Sequence, residues 1–340
     1  FDEASITALK KIIPPKIPYR TLYVRNLKIY FTLQIFLKFI QNSYLIFNNS
    51  FSNKNSLMNF FRKIKAIYLK SCIDFIGPKV IISYIDNSSY LHFITKHSLN
   101  KYTVIAIQNG SRLSFNSKFS ENYCLHNLIC FGEHEKNKMI SGNCRINNYH
   151  LFGSLHASYF VTKEMIKKKP DYDLMIVSSW RGNINFEDDF WITMNSMKKA
   201  DMNLSAYISE KNLKAAVIFR SEKDGNDWNI RGIGTEYEYF FKIYGDRIDY
   251  LENNFSKRLV YKHMMNANLS ISTGSSALLE AYGYGKKVLY INYTGADIYH
   301  GYDDLIEIKE QSYEKLALKL NFLLKQSNED YIKINYNNMK

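Results

Sequence analysis

The chain has 340 residues, 46% hydrophobic and 23% charged, a globular composition that excludes a disordered chain. A net charge of +13, from 45 Lys and Arg against 32 Asp and Glu, points to an anionic partner: a nucleotide, a nucleic acid or an acidic membrane surface. The cysteines Cys72, Cys124, Cys130 and Cys144 form no CxxC pair, and no His stands at zinc-finger spacing. Neither a disulfide framework nor a structural zinc site is expected, and the thiols read as reduced cysteines of a cytosolic protein.

In chain order, the first apolar stretch is Ile29 to Ile40, broken by Gln34 and Lys38. It falls short of the ~20 residues of a membrane span. It reads as a core helix, with a membrane-facing helix as the alternative. No secretory signal pattern is visible. Leu57 to Ile76 has helical apolar spacing at Phe60, Phe61, Ile64, Ile67 and Tyr68, and Gly77-Pro78 ends it. Lys79 to Ile85 is a continuous apolar run, as in a buried parallel strand. Ser88 to His97 is then a helix, Tyr102 to Ile107 and Leu125 to Phe131 are strands, and Tyr149 to Phe152 is a short fourth strand. Glu135 to Ile140 reads as the start of an exposed helix.

A second series follows the basic run Lys163 to Lys169. It has strands at Leu174 to Val177, Lys214 to Phe219, Ile248 to Leu251, Leu269 to Ser272 and Lys287 to Ile291. Helices are expected over Asp188 to Lys211, Glu236 to Tyr244, Lys257 to Met265, Ala277 to Tyr284 and Tyr313 to Leu324. Two β-α-β-α series predict an α/β protein with two Rossmann-like domains and mostly parallel sheets, residues 1–165 and 166–340. The boundary is placed near 160–172.

Ligands of open parallel sheets sit beyond the carboxyl ends of the strands, so strand-end residues are the candidates. In Ser272-Thr273-Gly274-Ser275-Ser276 a strand passes at once into a helix. Backbone N–H groups, the helix dipole and the Ser275 and Ser276 hydroxyls suit a phosphate, and Glu280 could meet ribose hydroxyls. A capped structural helix is the other reading. Asp86 follows the first buried strand and suits a general base or nucleophile; a strand-ending Asx turn explains it too. Gln108-Asn109-Gly110, with Asn87 and Arg112, can bind hydroxyls or a carboxylate, or form an Asn-Gly turn. Glu133, His134 and Glu135 offer an acid–base pair, or simply an acidic helix start. Ser178, Ser179 and Arg181 end one strand, and Arg220 with Lys223 follows another. Arginine at such ends can pair bidentately with phosphate or carboxylate, or be a solvated surface charge. His156 and His263 read as structural. No GxxxxGK[ST] or GxGxxG motif occurs, and no DxD in a strand-to-turn context, so neither P-loop nor NAD chemistry nor a metal is expected.

The stretch from Ser272 through Gly274-Ser275-Ser276 and Glu280-Ala281 to Gly285-Lys-Lys-Val-Leu289 resembles the donor half of GT-B glycosyltransferases. Its Ser-Ser pair is similar to the phosphate-binding serines of CMP-sugar sialyltransferases. Asp86-Asn87, Gln108-Asn109-Gly110-Ser-Arg112, Phe131-Gly132 and Phe152-Gly153-Ser154 resemble bacterial surface-carbohydrate biosynthesis proteins, some relatives of which transfer Kdo-type ulosonic acids. The resemblance spans residues 57–160 and 172–292 and implies a GT-B fold, two Rossmann-like domains facing across a cleft. It implies transfer of a CMP-activated ulosonic acid to a glycan or lipid-linked glycan acceptor, with Asp86 a possible covalent nucleophile. The enzyme would need no cofactor besides the nucleotide-sugar donor and would be cytoplasmic, with peripheral contact to an anionic membrane. UDP-sugar, GDP-sugar or polyol-phosphate donors fit the same fold. A non-catalytic nucleic-acid-binding protein is the alternative from another class. The dispersed basic residues and the lack of an RRM, KH or helix-turn-helix signature stand against it.

Overall fold

A computed structural model describes residues 3–22, 32–46, 57–98, 101–110, 123–167, 169–180, 194–220, 235–254, 257, 259–294 and 306–339. The chain divides into two compact units, residues 9–152 and 153–340, the second counted with the segment ending at Ala8.

The first unit holds a four-stranded sheet of β1 (Val80–Ser83), β2 (Thr103–Ile107), β3 (Cys124–Cys130) and β4 (Arg145–Leu151), in sequential order and all parallel. Parallel neighbours need crossovers, and helices supply two of them. These are α4 (Ser89–Lys96) between β1 and β2 and α5 (Glu133–Ser141) between β3 and β4. Ahead of the sheet come α1 (Glu3–Ile12), α2 (Leu33–Asn42) and α3 (Leu57–Ile76). The core gathers Ala66, Ile67 and Leu69 of α3, Val104 and Ala106 of β2, and Leu125 and Leu128 of β3. Gly77 ends α3 with φ +61°, donating its N–H to Ile73 O at 2.9 Å, the left-handed stop that favours glycine.

The second unit opens with α6 (Leu155–Phe160) and α7 (Lys163–Lys167). Its parallel sheet holds β5 (Tyr172–Val177), β6 (Ala215–Ile218), β7 (Asp249–Leu251), β8 (Ala267–Ser272), β9 (Lys287–Ile291) and β10 (Glu307–Ile308). They lie in the order β10-β9-β8-β5-β6-β7. The helices are α8 (Met194–Lys211), α9 (Glu236–Tyr244), α10 (Leu259–Met265), α11 (Ala277–Gly283), α12 (Tyr313–Lys325) and α13 (Asn328–Met339). β6 and β9 are buried along their whole length, which is why β6 reads as an unbroken apolar run and β9 as one after its buried Lys287.

The protein is thus α/β, with two all-parallel sheets, as the alternating pattern predicted. Three expectations are corrected. The Ile29–Ile40 stretch is no simple core helix: in α2 only Ile35 and Asn42 are buried, while Leu33, Phe36, Leu37 and Ile40 are exposed. The α3 helix has the expected bounds, Leu57–Ile76, with Phe60 and Phe61 near its start exposed. The fourth strand begins at Arg145, four residues early; its mostly exposed residues carry no apolar run to reveal it. Glu135 is 1% exposed, so α5 does not open on a fully solvated face. The expected helix from Asp188 is described from Met194 onward; residues 188–193 lie outside the described residues. No described helix is long and apolar enough to cross a membrane.

Candidate functional site

In the second unit the strand order reverses between β5 and β8, with β6 and β7 on one side and β9 and β10 on the other. Such a reversal leaves a crevice at the carboxyl ends of the two central strands, where open α/β sheets take their ligands. β5 runs into Ser178-Ser179-Trp180, and β8 into Thr273-Gly274-Ser275-Ser276. The two ends are bonded together: Ser179 Oγ and Thr273 Oγ1 are 2.6 Å apart, and Ser272 Oγ donates to Val177 O at 2.7 Å.

Ser272 also holds the turn, its Oγ accepting the N–H of Gly274 at 3.2 Å and of Ser275 at 3.0 Å. Short hydroxyl side chains compete well for nearby backbone donors, so a Ser at the last strand position can shape the chain that leaves it. Tyr290 OH fixes the next carbonyl, donating to Ser275 O at 2.8 Å. Ser276 makes no side-chain cap to α11, which has seven residues. A cavity of ≈ 10 Å³, room for about one water, is bordered by Ser178, Ser179, Ser272, Thr273 and Asp201. Burial raises the Asp201 carboxyl to about 6, although Tyr239 and Tyr244 donate to it at 2.7 and 2.9 Å.

Glu236, fully buried in the first turn of α9, is a residue that sequence reasoning missed. Its Oε1 accepts from Ser178 Oγ and, at 2.8 Å, from Arg220 N. It therefore ties the ends of β5 and β6. Arg220 Nη1 donates to Trp180 O at 3.4 Å. The readable signal was Thr235-Glu-Tyr-Glu238, a capping box that the structure contains in full. Glu280 is also buried and accepts from Tyr261 OH. Of the expected nucleotide residues, Ser178, Ser179, Thr273, Gly274, Ser275 and Ser276 gather around the β5 and β8 ends. Arg181 and Lys223 lie outside the described residues.

The first unit brings its candidates to the strand ends as well. Asp86 is fully buried three residues beyond β1, accepting from Tyr123 OH at 2.7 Å and from Asn109 N at 3.2 Å. It thereby anchors the turn after β2. Asn87 beside it is exposed. Gln108 is 1% exposed and uses both ends of its amide: Nε2 donates to Glu135 Oε2 at 2.7 Å and Gly110 O at 3.0 Å, while Oε1 accepts from Phe131 N at 3.0 Å. This side chain joins the end of β2, the end of β3 and α5. Glu135 lies 3.7 Å from Lys138 Nζ. Glu133 is exposed and pairs with Lys136 at 3.1 Å; His134 follows it in the first turn of α5. Arg112 lies outside the described residues. Glu135, which the sequence offered as an acid–base candidate, is instead buried against Gln108, and Tyr123 is a further member of this cluster that the sequence did not single out, since nothing local ties it to Asp86.

Among the described residues no group of three or more His, Cys, Asp and Glu side chains is arranged to hold a metal.

No protein-family model and no curated protein matches the chain. Solved structures do resemble it. A Listeria monocytogenes protein assigned as a UDP-N-acetylglucosamine 2-epimerase aligns over 86% of this chain and 79% of its own, with 12% identity and a TM-score of 0.55. The S. aureus MnaA–UDP complex aligns over the same shares, with 12% identity and a TM-score of 0.54. The Neisseria meningitidis UDP-GlcNAc 2-epimerase bound to UDP-GlcNAc aligns over 86% of this chain and 82% of its own, at 11% identity and a TM-score of 0.51. At such identities the likeness is one of fold, and the fold of this chain is GT-B-like: two Rossmann-like units, each built on an all-parallel sheet.

Proposed function

We propose that this protein is a nucleotide-sugar enzyme, a GT-B glycosyltransferase whose donor is a UDP-sugar and whose acceptor is a glycan. The observation that carries the reading is the switch point of the second sheet, where Ser178, Ser179, Ser272 and Thr273 come together at the ends of β5 and β8. Hydroxyl and backbone donors of that kind suit the phosphates of a nucleotide, and charge building on the leaving diphosphate needs such preorganised donors. The UDP donor is favoured because fold neighbours are described with UDP or UDP-GlcNAc. A CMP-ulosonic acid donor is the second reading, supported by the Ser275-Ser276 pair beside that same turn.

On the first unit, Asp86, Glu133 and His134 are the proposed acid–base groups, with Asn87, Gln108, Asn109 and Gly110 on the acceptor side. Glu133 meets solvent, whereas Asp86 is buried under two hydrogen bonds. The amide variants Asp86→Asn and Glu133→Gln therefore test two different roles. Loss of turnover by ~10²-fold or more with unchanged nucleotide affinity identifies the proton-transfer group.

The test of the donor is calorimetric titration of the full chain with UDP, CMP and GDP at equal ionic strength. UDP binding tighter than CMP and GDP is expected. A preference for CMP would replace the UDP donor by a CMP-sugar. Failure of all three, with steeply salt-dependent binding to mixed oligonucleotides, would overturn the enzyme reading in favour of a nucleic-acid-binding protein.

A further inference from the structure

The first unit carries a second polar cluster at the amino ends of β1 and β2, the opposite ends of these strands from Asp86 and Gln108. It lies where α3 ends before β1 and where α4 ends before β2. A cavity of ≈ 210 Å³ opens there, lined in part by Lys38, Tyr44, Lys70, Asp74, His97 and Lys101. Three lysines line it with one carboxylate: Asp74 Oδ2 accepts from Lys70 Nζ at 2.6 Å and from Asn42 Nδ2 at 3.2 Å, while its Oδ1 is buried with no hydrogen-bond partner among the described residues. The remaining positive charge, on Lys38 and Lys101, has no ion pair among the described residues. His97 adds no charge of its own near neutrality, because burial and the neighbouring Lys96 and Lys70 hold its imidazole below the usual range. The ring offers a nitrogen instead: His97 Nε2 is buried with no hydrogen-bond partner among the described residues.

The same helix that brings Lys38 to this cavity presents an apolar stripe to solvent. Leu33, Phe36, Leu37 and Ile40 are 71%, 42%, 51% and 54% exposed. Their spacing of i, i+3, i+4 and i+7 places them on one face of α2. Ile35, Phe39 and Asn42 occupy the other face, toward the core and α3. The apolar arc of α2 thus runs from its buried side to the exposed stripe, with Gln41 flanking the stripe and the half-buried Lys38 between Gln41 and Asn42 on the polar arc. Tyr44, 55% exposed, continues from the helix to the cavity rim. A soluble face has no use for four adjacent large apolar side chains. An anionic bilayer accommodates both features: the stripe enters the acyl boundary and the lysines meet headgroup phosphates.

We propose that α2 is a membrane-docking helix, seating its Leu33–Ile40 stripe in an anionic lipid surface with a headgroup phosphate held in the Lys38–Lys70–Lys101 cavity. The charge pattern selects a lipid surface over a second copy of this chain, because a like copy would bring the same lysines face to face. The proposal does not depend on which nucleotide sugar the protein uses.

The test is co-sedimentation of the full chain with phosphatidylcholine vesicles, with and without phosphatidylglycerol. Binding is expected only with phosphatidylglycerol and should weaken as sodium chloride is raised. Leu37→Asp/Ile40→Asp and Lys38→Glu/Lys101→Glu change exposed or half-exposed side chains. Each double variant should lose at least about tenfold in vesicle affinity, the scale of one to two charges or buried apolar side chains at a membrane surface. A third double variant, Lys315→Glu/Lys325→Glu on α12, should bind like the parent. No binding by the parent chain overturns the proposal, as does binding that neither α2 nor cavity variant reduces. Equal binding to both vesicle types removes the phosphate seat. Concentration-dependent self-association in light scattering that Leu37→Asp/Ile40→Asp abolishes, without vesicle binding, would assign the stripe to a second copy. Stabilisation by inorganic phosphate without vesicle binding would make the cavity a site for a free anion and overturn the lipid assignment.

Discussion

Gln108 shows why a polar side chain is kept at the end of a buried strand. Three backbone or carboxylate groups around it, on Gly110, Phe131 and Glu135, use its amide, and no apolar residue can satisfy them. Leaving buried partners unmet costs ~1–3 kcal/mol each. Gln108→Leu, which conserves bulk, should therefore lower unfolding free energy by about 3 kcal/mol or more in urea titration; a loss below about 1 kcal/mol would show that the network is dispensable. The sequence exposed Gln108 as a candidate through its position after a strand. It left open whether the amide serves a ligand or the fold, because Glu135 and Phe131 are more than twenty residues away in the chain. His156, which the sequence offered as a structural histidine, is 4% exposed, and burial lowers its imidazole to about 4 from 6.5. Between those values the unfolded chain takes a proton that the folded chain refuses. The neutral ring's contribution is thus fully present above pH 6.5 and is lost as pH falls toward 4, by up to ~3 kcal/mol. Asp201, raised to about 6 by burial, acts oppositely, since the folded protein takes up its proton first as pH falls. Comparing the parent with His156→Leu isolates the histidine: the variant's stability should fall less between pH 6.5 and 4. Parallel pH profiles would refute the assignment.

Helix ends illustrate which local features the chain writes plainly. Thr235 and Glu238 cap α9 reciprocally, with Thr235 Oγ1 accepting Glu238 N at 3.2 Å and Glu238 Oε2 accepting Thr235 N at 2.8 Å. Thr235→Ala should cost about 1 kcal/mol of stability, and Thr235→Ser much less. Gly285, between α11 and β9, is set by two constraints: φ is +77°, and an added Cβ would sit 2.9 Å from Ile332 Cδ1 of α13. Gly285→Ala should cost ~1–2 kcal/mol from the left-handed backbone alone. Gly285→Ala/Ile332→Ala should relieve only the contact, so denaturation midpoints of the pair separate the two terms. β6 was legible because every position is apolar, and β9 because only its first residue, the buried Lys287, is not. Elements whose residues face water on one side were not: β4 alternates Arg, Asn and His with its apolar residues, and α13 begins Asn-Glu-Asp. α2 was misread for a related reason. Its apolar residues span more than half the circumference, with Gln34, Lys38, Gln41 and Asn42 on the remaining arc, and periodicity alone cannot tell an apolar arc enclosed by protein from one left partly uncovered.

At the scale of the whole molecule, alternation of strands and helices announced parallel sheets, but not which strands become neighbours. β5 and β8 are about a hundred residues apart, and only their pairing, Leu174 against Leu269 and Ile176 against Ile271, creates the switch point where Ser179 meets Thr273. The candidate phosphate turn and Ser179 were therefore each legible as strand ends, whereas the pairing of Ser179 with Thr273 and the organising role of Ser272 emerged only from the topology. This pairing gives the last prediction a location. If UDP sits at the switch point, its binding must stabilise the protein by mass action, ~2.7 kcal/mol at a hundredfold excess over Kd. Hydrogen exchange should then slow in peptides spanning residues 176–180 and 270–278, with little change around Asp86 and Gln108. Ser179→Ala/Thr273→Val removes both hydroxyls of the 2.6 Å contact while keeping a similar shape. Replacing donors to a charged ligand should raise Kd by about tenfold or more, ~1.5–3 kcal/mol. Backbone N–H groups would remain, so binding should persist at higher UDP concentration. Because the two hydroxyls leave together, neither is stranded without its partner, and the ligand-free melting temperature should change little. Exchange protection by UDP that is confined to the first unit would overturn this placement, as would a folded double variant with parental UDP affinity.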